Sequence, residues 1–210
     1  MEEMKRDYPS NLEIDYSPES DRLTTFFRLF TVIPILIILA TLSGDNYHMD
    51  GSQGWRYSIA GPGIVFVPTV LMLLFRKKYP RWWYDWNLEL TKFATRVTTY
   101  FLLLRDEYPS TDEEQAVHIE IPYPDAEKEL HRALPLVKWL LSIPHLIVLY
   151  FLYFAVFLCT IFCWFYILAT ASYPKGVFRF VVGVMRWSLR VYAYCFMLTT
   201  DRYPPFRLYD

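Results

Sequence analysis

From Trp139 to Ser172 the chain runs for 34 residues without an Asp, Glu, Lys or Arg, and its one histidine, His145, stands near the start. Nothing else in the sequence limits the fold as much. As one straight helix this stretch would be about 50 Å long, more than the roughly 30 Å hydrocarbon core of a bilayer requires. Two further apolar runs, at 29–43 and 59–75, also have the length of membrane spans. Hydrophobic residues make up 54% of the 210-residue chain, above the roughly 45–50% usual in soluble domains. The expected class is therefore an all-α integral membrane protein.

Charge sets the expected orientation. Arg76, Lys77, Lys78 and Arg81 follow the second apolar run, and Lys5, Arg6, Arg22 and Arg28 flank the first. Basic residues beside spans favour the cytoplasmic side, so the polar segment 43–58 is expected outside and both termini in the cytoplasm. The location expected is the cell inner (cytoplasmic) membrane, crossed more than once. No small-residue cleavage site follows the first apolar run, which reads as a retained anchor. Pro34 is expected to kink that helix or mark its entry into the membrane.

The chain reads as two tandem repeats, 1–117 and 118–210. LEIDYSP (12–18) matches IEIPYP (119–124), and FFRLFTVIP (26–34) matches LVKWLLSIP (136–144). Tyr79-Pro80 matches Tyr173-Pro174; Arg96, Val97 and Tyr100 match Arg190, Val191 and Tyr194; Asp106 with Tyr108-Pro109 matches Asp201 with Tyr203-Pro204. Each repeat is expected to hold a short cytoplasmic β-strand, a membrane hairpin and an amphipathic interfacial helix. The spans fall at about 26–43 and 59–76 in the first repeat, with a membrane segment at about 136–172 in the second. The interfacial helices fall at 82–104 and 176–198. Matching ends should face matching sides, which favours a hairpin within 136–172, although no Gly, Pro, Asn or Asp lies between 146 and 171 to turn it. Six tyrosine–proline pairs punctuate the chain, because proline pushes its predecessor out of the helical region.

The interfacial helices carry the candidate binding residues. Asp85, Glu89, Lys92 and Arg96 fall on one narrow stripe, opposite an aromatic and aliphatic face flanked by Trp82, Trp83 and Trp86. In the second copy the stripe is wholly basic: Arg179, Arg186 and Arg190. Anionic headgroups attract such a stripe by about 1 kcal/mol per residue. Lys92, Arg96, Lys77, Lys78, Arg179, Arg186 and Arg190 are thus the expected lipid- or partner-binding residues.

Catalytic chemistry has little to stand on. The spans offer a few threonines and His145, whereas transport and proton relays leave ionisable groups inside spans. Cys159, Cys163 and Cys195 lie in apolar segments, where cysteine acts as a small hydrophobe. Phosphate-loop, nucleophile-elbow and zinc motifs do not occur, so no catalytic residue, cofactor or metal is expected. A net charge of −1 gives no reason to expect a nucleic-acid partner.

LVKWLLSIPHLIVL (136–149), the YPKG after Ser172, RWSLRVYAY (186–194) and TTDRYPPF (199–206) resemble bacterial integral membrane proteins of the domain-of-unknown-function family 4389. The first half matches more loosely, with Asp85 and Glu89 in place of Arg179 and Gly183. The resemblance implies an integral membrane protein and supplies no catalytic residues. The expected function is that of a non-enzymatic accessory or assembly subunit of a larger membrane complex. A membrane-shaping or lipid-organising protein and a small-solute or lipid transporter are the alternatives.

Overall fold

The carboxylate of Asp21 starts the first long helix, accepting the Leu23 N–H and the Thr24 hydroxyl as an N-cap does. Helix α1 then runs from Arg22 to Ser43 and continues through Pro34 without ending there. The computed structural model describes residues 8–43, 68–113 and 115–209. Most of the expected loop at 43–58 and the first half of the expected span at 59–76 lie outside the described residues.

Where the chain resumes, a helical turn widens into a π-helical turn at Met72–Arg76, closed by Lys77 in the left-handed region (φ 48°). Tyr79-Pro80 follows, and α2 occupies Arg81–Phe101 with extended Pro80 (φ −64°, ψ 133°) at its head. Strands β1 (Asn11–Ile14) and β2 (Val117–Glu120) pair antiparallel, with Leu12 opposite Ile119 and Glu13 opposite His118. The two strands expected one per repeat are therefore partners in a single sheet.

The apolar run of the second half is not a hairpin. A short α3 (Pro135–Leu141) gives way at Ser142 to α4, an uninterrupted helix from Ile143 to Thr170. Pro144 lies in its first turn, where a missing N–H does no harm. From there to Ala171 no residue favours a reversal, and a straight helix satisfies every backbone group of an apolar segment internally. Ala171 ends it in the left-handed region (φ 56°), with its N–H on Ile167 O at 2.7 Å. Tyr173-Pro174 then launches α5, Lys175–Cys195.

Nor is α5 an interfacial helix. Most of its residues are buried, from Phe178 to Cys195. Strand β1, α3 and α4 pack on it, and Leu208 of the C-terminal tail sits 3.1 Å from where a Cβ on Gly183 would be. It is the central helix of the core. Helix α1 lies on α2 instead, through Val32 and Ile35 against Phe93, Val97 and Tyr100.

Candidate functional site: the apolar face of α1 and α4

Two buried cations hold the apolar helices to the rest of the molecule. Arg28 of α1 forms an ion pair with Asp106, donates to Tyr100 O at 3.1 Å and stacks 4.5 Å above the Tyr100 ring. Lys138 of α3 repeats the arrangement. It pairs with Asp201 at 2.7 Å, donates to Thr200 O at 2.7 Å and lies 5.1 Å from the centre of the Tyr194 ring. Each carboxylate spends its second oxygen alike: Asp106 accepts the Asp21 N–H at 2.8 Å and Asp201 the His131 N–H at 2.6 Å. A lone charge on an apolar segment is expensive unless paired and hydrogen-bonded, and both are. Burial, then the neighbouring Asp201 carboxylate, pushes the Tyr194 phenol above its ordinary range.

Tyrosines cross between the halves in matching fashion. Tyr16 donates to Tyr173 O, and Tyr123 to Tyr79 O. Lys175 lies over the Tyr16 ring and Arg81 over the Tyr123 ring. Tyr16 meets Phe178 edge-on at 5.0 Å, as Tyr123 meets Tyr84 at 5.1 Å. The left-handed residues also come in pairs, Lys77 with Ala171 and Leu103 with Leu198.

The basic residues expected to meet headgroups are dispersed. Arg190 is 1% exposed and donates to Arg207 O; Arg96 is 6% exposed and donates to Ser110 O. Arg186, half-buried, reaches Leu12 O at 3.0 Å, and Lys77 reaches Glu127 O. Lys92 pairs with Glu89 at 2.7 Å. Only Lys78 and Arg179 of the set stand exposed without a contact of this kind among the described residues. The stripe is real as a periodicity, but the tail, β1 and the 105–113 segment cover it. Its arginines bind backbone carbonyls of this chain rather than forming one outward basic surface. The residues that sequence reasoning passed over are Arg28, Lys138, Asp106 and Asp201. Their signal lay in the aligned segments, where a cation recurs inside each apolar run and an aspartate two residues before a Tyr-Pro.

What the molecule does present is apolar. Two helical segments, Arg22–Leu42 and Ile143–Thr170, are long and apolar enough to cross a membrane, and only 22% and 17% of their most apolar stretches are buried. A core helix of a soluble protein would be mostly covered. On α4 a single stripe is buried: His145, Leu149, Val156, Cys163 and Ile167. The other faces expose Tyr150, Phe151, Phe154, Phe157, Leu158, Ile161, Phe162 and Phe165. Contiguous exposed apolar faces mark interaction or membrane-facing surfaces, and two helices of this length and apolarity point, by length and composition alone, toward association with a membrane.

The two helices touch where Trp164 donates to Thr25 O at 3.2 Å and Arg22 to Ala169 O at 3.1 Å. Beside that contact they frame a half-open groove of about 480 Å³. Thr25, Arg28 and Leu29 line it from α1, residues from Tyr153 to Phe165 from α4, and Phe101 to Leu103 from the end of α2.

No curated protein and no solved structure matches the chain. A family match covers residues 134–207, from just before α3 through α4 and α5 to Arg207 in the tail, and the family is described as Domain of unknown function (DUF4389). That span contains Lys138, Asp201, the whole exposed face of α4 and the Tyr-Pro turn into α5, and it is over these residues that the chain is similar to the DUF4389 family.

Proposed function

We propose that the protein is a non-enzymatic integral membrane protein that organises lipid through the joint apolar face of α1 and α4. The observation that carries this reading is α4 itself: 28 residues without an Asp, Glu, Lys or Arg, held by one buried stripe, with most of the remaining residues exposed. Hydrocarbon is the solvent in which that surface is stable. Trp82 and Trp86 stand exposed at the head of α2, suited to headgroup level. The proposed setting is the cytoplasmic membrane, with more than one crossing and both termini in the cytoplasm, as basic residues around the spans favour.

Two tandem repeats form part of the proposal. The duplicated ion pairs, the reciprocal tyrosine bonds and the matched left-handed residues support a common origin for the halves. So does the sheet, in which Leu12 and Ile119, equivalent in the repeat alignment, face each other. On this reading α4 of the second repeat corresponds to α1 and the 68–76 helix of the first, joined without the polar insertion.

A second reading, an accessory or assembly subunit of a larger membrane complex, draws on the cluster of Trp82, Trp83 and Trp86, since tryptophans often anchor protein interfaces. Transport gains no support from the groove, whose walls are almost wholly apolar.

Reconstitution tests the primary reading. In liposomes at high protein density, altered acyl-chain order by deuterium NMR or altered vesicle shape is expected. Lipid order and vesicle shape indistinguishable from protein-free liposomes would overturn it. Recovery of the intact protein with stoichiometric partners in mild detergent would instead favour the subunit reading.

A further inference from the structure

The groove between α1 and α4 is more than an irregularity of the surface. Its α4 wall runs from Tyr153 to Phe165, a rise of about 18 Å at 1.5 Å per residue. One leaflet of a bilayer core is about 15 Å deep, half of its roughly 30 Å. The groove is therefore as long as one leaflet's acyl chain, and its 480 Å³ falls within the range of built small-molecule sites.

Its lining excludes other occupants. Water needs two to four polar partners, and these walls of Leu29, Val156, Phe157, Ile161 and Phe165 supply almost none. An empty groove forfeits dispersion contacts along its whole length. Two polar side chains lie in the wall at the α1 end. Thr25 and Arg28 are 0% and 2% exposed, and Thr25 Oγ1 and Arg28 Nε have no partner among the described residues. Arg28 is already neutralised by Asp106, which leaves its Nε–H suited to a neutral acceptor such as an ester carbonyl rather than to a second anion.

We propose that this groove holds one acyl chain of a bilayer phospholipid, with the ester end near Thr25 and Arg28 and the chain lying along Val156, Phe157 and Thr160. The proposal rests on the reading that α1 and α4 lie in lipid and adds a defined site to it. A phospholipid is chosen over a free fatty acid because the groove is open to the same side as the exposed apolar faces, where bilayer chains are the most abundant ligand.

The test uses the full chain reconstituted in vesicles of palmitoyl-oleoyl phosphatidylcholine, extracted in mild detergent and weighed by native mass spectrometry. Retention of a phospholipid by the parent protein is expected. Thr160→Trp, which fills the groove, should lower the lipid-bound fraction about tenfold. Phe162→Trp, on the outward side, should leave it unchanged. Absence of retained phospholipid, equal retention in both variants, or retention of a fatty-acid mass instead would overturn the proposal. Alkaline extraction of the same vesicles reads the underlying proposal separately. If the parent stays with the lipid while the groove variants behave alike, only the site fails. If the parent is released, the reading of a membrane-embedded face fails with it. A Thr160→Val variant, which keeps the shape and removes the hydroxyl, should bind as the parent does and controls for misfolding at this position.

Discussion

Arg28 and Lys138 sit where an apolar segment ought to have no cation, and each has the same company: a carboxylate, a backbone carbonyl and the face of a tyrosine. Removing one partner strands the other. Asp201→Asn should destabilise the folded protein by about 3–5 kcal/mol, because Lys138 is left buried without its counter-charge. The Lys138→Met, Asp201→Asn double variant should recover much of that loss, as an apolar replacement of a buried pair often does. Unfolding by denaturing detergent measures both, and a single variant as stable as the parent would show that the pair contributes nothing. Asp21 gives a prediction in pH. The Thr24 hydroxyl first, then the Leu23 N–H, hold its carboxyl below the ordinary range. A depressed pKa stabilises the fold at neutral pH, and this contribution is lost as pH falls through the carboxylate range. Amide exchange in the first turn of α1 should accelerate there. In the Asp21→Asn variant that acid-dependent step should vanish. These residues were partly legible. The sequence alignment set Arg28 against Lys138 and Asp106 against Asp201, but it could not bring position 28 to position 106. The basic stripe failed for the same reason, since periodicity tells which arginines share a face and not what covers it.

At the scale of elements, the tyrosine–proline pairs were the most readable feature. Proline restricts its own φ and its predecessor, so Pro80 and Pro174 head α2 and α5 wherever the rest of the chain goes. The hairpin expected in 136–172 came from reasoning about matching ends. The local chemistry of α4, which has no turn residue between 146 and 171, was the better guide. Its end carries a measurable strain. Ala171 occupies the left-handed region at φ 56°, where an L-residue pays about 1–2 kcal/mol and glycine little. Ala171→Gly should therefore raise stability by about 1 kcal/mol in the same unfolding assay, and a decrease would count against the cap. Gly183 is the opposite case. A Cβ there would lie 3.1 Å from Leu208 Cβ and its carbonyl oxygen, so Gly183→Val should lever the tail off α5. Faster proteolysis between Tyr203 and Leu208, with the helical circular dichroism retained, is the expected signature. The position that the proposed repeat sets against Gly183 carries Glu89, which is exposed.

At the scale of the whole molecule, a core of α5, the sheet and the tail carries two long helices whose outer surfaces are apolar. The class of membrane helices was visible in the 34-residue run. The way these helices lie against the core was not, because it depends on contacts such as Trp187 to His145 and Trp164 to Thr25, which join distant parts of the chain. The central claim is that the outer face of α4 lies in hydrocarbon. Nitroxide labels placed one at a time at Tyr150, Phe154, Leu158, Phe162 and Phe165, in a background with the three cysteines replaced, test it directly. In lipid bilayers, collisions with dissolved oxygen should be frequent and those with a water-soluble nickel complex rare at all five sites, with a label at exposed Arg179 showing the reverse. High nickel accessibility along the α4 stripe would contradict the claim.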